Sequence, residues 1–240
     1  MQLSKSHSRH RAAQTFVSAA LLLSVLLQSA CSPSQERERA AQQIPSFVPA
    51  NIHARESLPA HVRRVVALPP FVERSGSVEL TLLDTVFPAE LNKTLLFETA
   101  SVSRLELQRQ LGAQQFSSIA VIPSALLDFL RNEYGADAAV FTDITRYDPY
   151  RPISVGIRSK LVDLQNGEIL WAFDTVFDSG DPRVAMAARR YQQISALGHF
   201  PLDNSETILQ SPSRFTQYAA YSAYSTLPGL APVSEVSSQP

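Results

Sequence analysis

Cys31 is the only thiol in a chain of 240 residues. An internal disulfide is therefore excluded, and the sulfur is left with acylation, oxidation or pairing to another chain. Its surroundings are ordered. Lys5, Arg9 and Arg11 give a basic start, Phe16 to Leu27 is an apolar run, and Ser29 and Ala30 lead into the cysteine. That is the layout of a secretory signal, with a charged region, an apolar core and a small-residue cleavage site. The run is too short for a comfortable membrane span, which needs roughly 20 residues. Residues 1–30 are accordingly set aside from the fold as a signal peptide.

The remaining reactive side chains do not assemble into a known constellation. His7 and His10 fall in the signal, and His53, His61 and His199 have no partner at metal-ligand spacing. They are expected to be solvated or incidental. Asp137, Asp143 and Asp148 could be imagined as a carboxylate cluster. Alternation along a strand puts Asp137 and Asp143 on one face but about 20 Å apart, beyond the roughly 5–9.5 Å of paired glycosidase carboxylates. A solvated face is expected for them. No nucleophile elbow, phosphate-binding loop or dinucleotide fingerprint occurs. The expected catalytic set, metal set and cofactor set are all empty, and the chain reads as a non-enzyme. The residues most suited to binding are Tyr147, Tyr150 and Arg151, in the segment Tyr147-Asp148-Pro149-Tyr150-Arg151-Pro152. Tyrosine and arginine at a loop tip are frequent anchors of protein interfaces. A Pro-stiffened turn accounts for the same residues.

Charge narrows the partners. The chain has 21 Lys and Arg against 22 Asp and Glu. Three of the bases and none of the acids lie in the signal, so the mature chain has a net charge of −4. No basic face is implied and nucleic acid is not an expected partner. With 45% hydrophobic residues a substantial core is available.

These side chains need elements to hold them. Residues 31–60 read as a flexible tether, polar and charged at first and then interrupted by Pro45, Pro49 and Pro59. The globular domain is expected over 61–227 and a disordered tail over 228–240. Val62 to Phe71 reads as a central strand ended by Pro69 and Pro70. A helix from about Leu80 to Leu96 contains Pro88, which should kink it or mark a second start. Phe97 to Val102 is a short strand. Ser103-x-x-Glu106 is a capping box for a helix stopped by Gly112. Ile119 to Ile122 is a brief strand or link. A helix from Ser124 to Tyr134 ends at Gly135.

Three strand-like runs follow, Ala138–Tyr147, Ile153–Leu164 and Ile169–Asp178, with connections short enough for an antiparallel meander. A three-residue loop, Gln165-Asn166-Gly167, would pair Leu164 with Glu168. It would also set Leu161 opposite Trp171, Ser159 opposite Phe173, Ile157 opposite Thr175, Val155 opposite Phe177 and Arg158 opposite Asp174. Asp181-Pro182 and Ser211-Pro212 each open a helix. The first presents Val184, Ala188, Tyr191 and Ile194, the second Phe215, Tyr218, Tyr221 and Tyr224. The fold class is α/β (α+β), a mixed sheet with a C-terminal three-strand meander flanked by helices.

The segment around Cys31 resembles the lipobox of bacterial lipoproteins, in which the cysteine is acylated and becomes the new N-terminus. Gln28 stands where that pattern usually has Leu, with Leu27 one place back. Plain secretion with cleavage after Ala30, or an uncleaved anchor, would use the same layout. By the lipoprotein pattern Ser32 implies the outer membrane, on its periplasmic face. VVALPPF, SRLELQRQLG, YGADAAVFTDITRY and SVGIRSKLVDLQNGEILWAFDTVF resemble, over about residues 62–198, the curli-secretion lipoprotein family and the TolB amino-terminal domain. The lipoprotein activators of peptidoglycan synthases share that fold. The short link Asp148–Pro152 leaves no room for the membrane-inserted hairpins of the secretion channels, so no pore is expected.

The expected function is thus an accessory or interaction module of envelope assembly, secretion or cell-wall synthesis. The expected partners are outer-membrane lipid, through acylated Cys31, and an envelope protein. The alternatives are an oligomeric subunit of a secretion or surface-structure complex, with the chain as its own partner, and a periplasmic hydrolase.

Overall fold

The computed structural model describes residues 45, 47–73, 79–195 and 205–231. The signal segment with Cys31, as well as His7, His10 and His199, lies outside the described residues. Among the described residues no helix is long and apolar enough to cross a membrane.

Seven strands form one mixed sheet: β1 (Ile52–Ala54), β2 (Arg64–Ala67), β3 (Phe71–Val72), β4 (Glu98–Ser101), β5 (Ala138–Asp148), β6 (Ser154–Asp163) and β7 (Ile169–Asp178). Their order is β1-β7-β6-β5-β2-β4, with β3 also on β5. Five described helices accompany them: α1 (Leu80–Asn92), α2 (Arg104–Leu111), α3 (Ser124–Tyr134), α4 (Pro182–Ser195) and α5 (Pro212–Tyr224). The α/β class with its antiparallel meander β5-β6-β7 is as expected.

β2 runs parallel to β4 and β5, and its residues Val65–Ala67 are buried on both faces, in keeping with their continuously apolar sequence. Pro69 and Pro70 end it, as expected, but the strand resumes. Ala67 lies opposite Val140 and Phe71 opposite Asp143, so four residues of one chain match three of the other. The prolines mark a bulge.

The sheet has two cores. On one face Leu83, Phe87 and Leu91 of α1, Val184 and Ala188 of α4, and Phe215, Ala219 and Ala223 of α5 cover Val140, Val155, Ile157, Leu161, Trp171, Phe173 and Phe177. Trp171, Phe173 and Phe177 form an offset stack with centroid spacings of 5.9 and 6.2 Å. On the other face Leu107 of α2 and Leu126 and Leu130 of α3 cover Val66, Leu68, Ala139, Phe141, Val162 and Leu164.

Local signals set the helix ends. The Ser103 hydroxyl accepts the Glu106 N–H at 3.1 Å, and Gly112 and Gly135 stop α2 and α3 in the left-handed conformation, at φ +73° and +58°. The Glu106 carboxylate instead accepts the Tyr134 hydroxyl at 2.7 Å and ties α2 to α3. Asp181 caps α4 through the Arg183 N–H at 2.8 Å, and Ser211 caps α5 through the Arg214 N–H at 3.4 Å. α1 runs through Pro88 as one helix and stops short of the expected Leu96.

Ile119 to Ile122 takes the second of its two expected forms, a link without strand pairing. Other expectations are corrected. Ile194 is 68% exposed and lies off the buried face of α4, where Ala185 is buried instead. The expected tether over 31–60 and tail from 228 both overlap the fold. Phe47 packs on Phe177 at 5.5 Å, and β1 pairs antiparallel with β7. Leu58 is fully buried and exchanges backbone bonds of 2.8 and 2.9 Å with Gly229 and Ala231. Backbone pairing on a free sheet edge supplies this order, and apolar periodicity does not report it.

The meander register is as read from Leu161–Trp171 through Val155–Phe177, including Arg158–Asp174. The turn is different. Asp163 and Glu168 close a four-residue loop through Asp163 N–H to Glu168 O and Gly167 N–H to Asp163 O, each 2.9 Å. Gly167 is left-handed, at φ +76°. A bulge between Leu161 and Val162 then shifts the register, so Val162 pairs with Ile169 and both Leu170 and Trp171 enter the main core. The Asp163 carboxylate fixes this turn by accepting the Gln165 N–H at 2.7 Å.

Candidate interaction surface

Beyond Phe141 the second face of the sheet changes character. Strand register sets three cross-strand rows there: Phe141–Lys160–Ala172–His53, Asp143–Arg158–Asp174, and Arg146–Gly156–Val176. Alternation puts the members of all three rows on one face. A β-bulge at Thr145 makes the third row, because it shifts Arg146 rather than Thr145 opposite Gly156. Gly156 leaves room for that bulge. A Cβ there would collide with the Thr145 hydroxyl and lie 2.9 Å from Arg146 N.

The link between α2 and α3 crosses this face and is pinned twice. The Gln115 amide pairs with Val72 as a strand would, accepting its N–H at 3.2 Å and donating to its carbonyl at 3.0 Å. Arg104 holds Gln115 at 2.9 Å while its Nε and Nη2 grip the Asp84 carboxylate, each at 2.8 Å, and Nη2 also reaches Pro70 O at 2.7 Å. The second pin is Asp143, only 5% exposed. It accepts the Ser117 hydroxyl at 2.9 Å, the Ser118 N–H at 2.6 Å and the Ser118 hydroxyl at 2.8 Å.

The pinned link is a ridge. Ile119 is 73% exposed and Val121 95% exposed. On the β5 side lies an open cleft of about 710 Å³, lined by Phe71, Glu73, Asp143, Arg146, Tyr147 and Arg158 among others. On the β7 side lies a smaller one of about 230 Å³, lined by His53, Arg158, Lys160, Ile169, Ala172 and Asp174 among others. Arg158 and Ile119 border both. Arg158 Nε donates to Asp174 at 2.8 Å. The Lys160 ammonium stands 5.4 Å from the centre of the Phe141 ring, and partial burial pushes it below the ordinary lysine range while Asp143 pulls it back.

Of the residues expected to bind, Tyr147 lines the wide cleft, half-buried, and burial raises its phenol above the ordinary range. Tyr150, 79% exposed, and Arg151 stand on the β5–β6 connection and line neither cleft. The three aspartates are not a solvated face. Asp137 accepts the Arg63 and Arg64 N–H groups at 2.9 Å, Asp143 holds the ridge, and Asp148 accepts the Tyr150 N–H at 3.0 Å. Each accepts at least one backbone N–H, Asp137 and Asp143 from distant segments and Asp148 from its own turn. His61 is not incidental either, since its Nε2 lies 2.9 Å from the buried Asp163 carboxylate. Among the described residues no group of three His, Cys, Asp or Glu could hold a metal.

Sequence reading passed over Ile119, Arg146 and the pair Ser117-Ser118. The available signal was two bare aliphatic residues, Ile119 and Val121, in a short link with no strand partner.

No family model and no curated protein matches this chain. Several solved structures align with parts of it at low identity. PelC from Paraburkholderia phytofirmans, a dodecamer, is 10% identical over 75% of this chain and 96% of its own, with a TM-score of 0.44. Lipoprotein GNA1162 from Neisseria meningitidis is 16% identical over 49% of this chain and 81% of its own, with a TM-score of 0.32. The LpoB C-terminal domain from Salmonella enterica is 21% identical over 47% of this chain and 80% of its own, with a TM-score of 0.35. None of these three is a curli-secretion lipoprotein or a TolB domain.

Proposed function

We propose that this chain is an accessory protein of the bacterial envelope, held to the outer membrane by acyl chains on Cys31, whose folded unit docks a protein partner and performs no catalysis. The observation that carries the docking reading is the pair Ile119 and Val121, both apolar and exposed, with Ile119 next to the pinned Ser118 and bordering two clefts. An ordered apolar protrusion rimmed by polar groups is what a protein interface requires. Asp143, the buried carboxylate of the wide cleft, already accepts from three donors, which favours a structural role over acid–base work. Anchoring would act by local concentration, making an encounter with a membrane-bound partner nearly intramolecular.

Two measurements test the two halves. Mass spectrometry of the purified mature chain should find a lipid-modified cysteine at position 31, and an unmodified thiol there ends the anchoring half. A photo-crosslinking residue at Ile119 should capture a discrete envelope protein in intact cells. Equal capture from Ile119 and from Leu95, an exposed residue in the turn after α1, would remove the docking half.

A further inference from the structure

We propose that the cavity between the C-terminal ends of α1 and α5 binds a small primary alkylammonium, with Glu90 as its counter-ion. The cavity lies across the sheet from the Ile119 link, and the inference stands independently of the docking reading.

The warrant is a buried carboxylate with one empty oxygen. Glu90 is 1% exposed and sits in the last turn of α1. Its Oε1 takes every donor: Lys93 Nζ at 2.6 Å, Gln217 Nε2 at 2.9 Å and the Tyr191 hydroxyl at 3.5 Å. Its Oε2 is buried and has no hydrogen-bond partner among the described residues. A buried anion satisfied on one side only is costly, and the partly negative helix end adds to the cost.

The cavity, of about 280 Å³, is lined by Glu90, Lys93, Thr94, Tyr221, Ser225 and Leu227 among others. Acceptors dominate it. The Thr94 hydroxyl donates to Leu91 O at 2.8 Å and the Ser225 hydroxyl to Ser222 O at 2.9 Å, which leaves both oxygens only an accepting role. The carbonyl ends of α1 and α5 meet there as well. An alkylammonium brings three donors, no acceptor and an apolar stem. Leu227 suits the stem, and the Tyr221 ring, 44% exposed, suits the charge. Lys93 shows the fit within the chain, since it is itself an alkylammonium on Glu90. It neutralises one unit of charge, and the two helix ends, roughly half a negative unit each, remain. The Lys93 side chain is 55% exposed, so it can turn aside and open the way to Glu90.

The test uses the lipidated chain in a neutral detergent with n-butylammonium chloride as the probe, read by saturation-transfer NMR against matched sodium chloride. Saturable binding with a Kd of about 1 mM is expected, and none for n-butanol, which has the shape without the charge. Glu90→Gln should weaken binding about tenfold and Tyr221→Ala about threefold. Lys93→Met removes the competing ammonium and should tighten binding about threefold, a gain that a purely structural ion pair would not give. An unchanged urea midpoint confirms that each variant is folded. Lys93 and Tyr221 are both well exposed, so their variants decide the matter even where Glu90→Gln fails to fold. Undiminished binding by Glu90→Gln, equal binding of n-butanol, or no gain in Lys93→Met overturns the proposal. Tighter binding of a capped Gly-Lys-Gly peptide than of the probe would move the site to a protein's lysine and overturn the small-amine assignment.

Discussion

Asp143 accepts both donors of Ser118, the backbone N–H at 2.6 Å and the hydroxyl at 2.8 Å, from a strand position 25 residues away. This one carboxylate joins the middle of β5 to the link between α2 and α3 and so divides the open sheet face in two. Asp143→Ala would leave the buried Ser118 N–H without an acceptor. A loss of about 2–3 kcal/mol in urea unfolding is expected, since an orphaned buried donor costs about 1–3 kcal/mol and hydrogen bonds to charged groups are the stronger ones. Asp143→Asn keeps one acceptor and should lose about half as much. Equal midpoints for the wild type and the alanine variant would contradict the pinning.

Arg104 is the second post of the ridge. Its guanidinium meets Asp84 with two nitrogens while reaching Gln115 and Pro70. A lysine cannot supply that fork. Arg104→Lys should therefore cost about 1–2 kcal/mol and release the Gln115 amide from register with Val72. Hydrogen exchange over residues 113–123 should rise in that variant, and unchanged protection there would show that Gln115 does not depend on Arg104.

Gly156 and Gly167 separate two reasons for glycine. At Gly156 a methyl group meets Thr145 and the backbone of Arg146, so Gly156→Ala should distort the β5–β6 bulge and cost about 1–3 kcal/mol. At Gly167 nothing lies within 4 Å of a new Cβ, but φ is +76°. Gly167→Ala should cost about 1 kcal/mol from backbone strain alone. Because the Arg146 N–H is part of the clash, Thr145→Ala should restore only a fraction of the Gly156→Ala loss. Full restoration would place the clash at the hydroxyl alone.

Buried phenols give the fold an alkaline limit. Burial, reinforced by the Glu90 charge, pushes Tyr191 up to about 12, and burial raises Tyr134, Tyr218 and Tyr224 as well. Their ordinary value is 10.0. A pKa raised in the folded state contributes stability that is complete below the unfolded value and is lost as pH rises through the folded one. Stability should therefore hold up to about pH 10 and then fall steeply. Phenolate absorbance should develop in fewer than the full seven tyrosines until unfolding releases the rest. Complete ionisation near pH 10 in the folded protein would exclude the buried assignment.

The helices, their caps, the meander and its register could be read from residues alone. Ser103-x-x-Glu106, Gly112, Gly135, Asp181-Pro182 and Ser211-Pro212 act within one turn of chain, where neighbouring residues decide the geometry. Trp171, Phe173 and Phe177 alternate against Leu161, Ser159 and Val155 strongly enough to set which strands meet and how. The three-residue loop failed at one step only, because the Leu170 bulge restores a register that the turn had shifted.

The open sheet face could not be read in that way. Cys31 in its apolar setting pointed to export and acylation, and the short Asp148–Pro152 link argued against a pore. That Asp143 is buried and occupied, that Arg146 shares a sheet face with Arg158 and Lys160, and that Ile119 stands between two clefts depends on contacts between distant segments. β1 is the same case: a weakly apolar stretch takes its place because β7 has a free edge. Backbone donors and buried carboxylates take whichever partner the folded chain brings near, and that choice carries no periodic mark in the sequence.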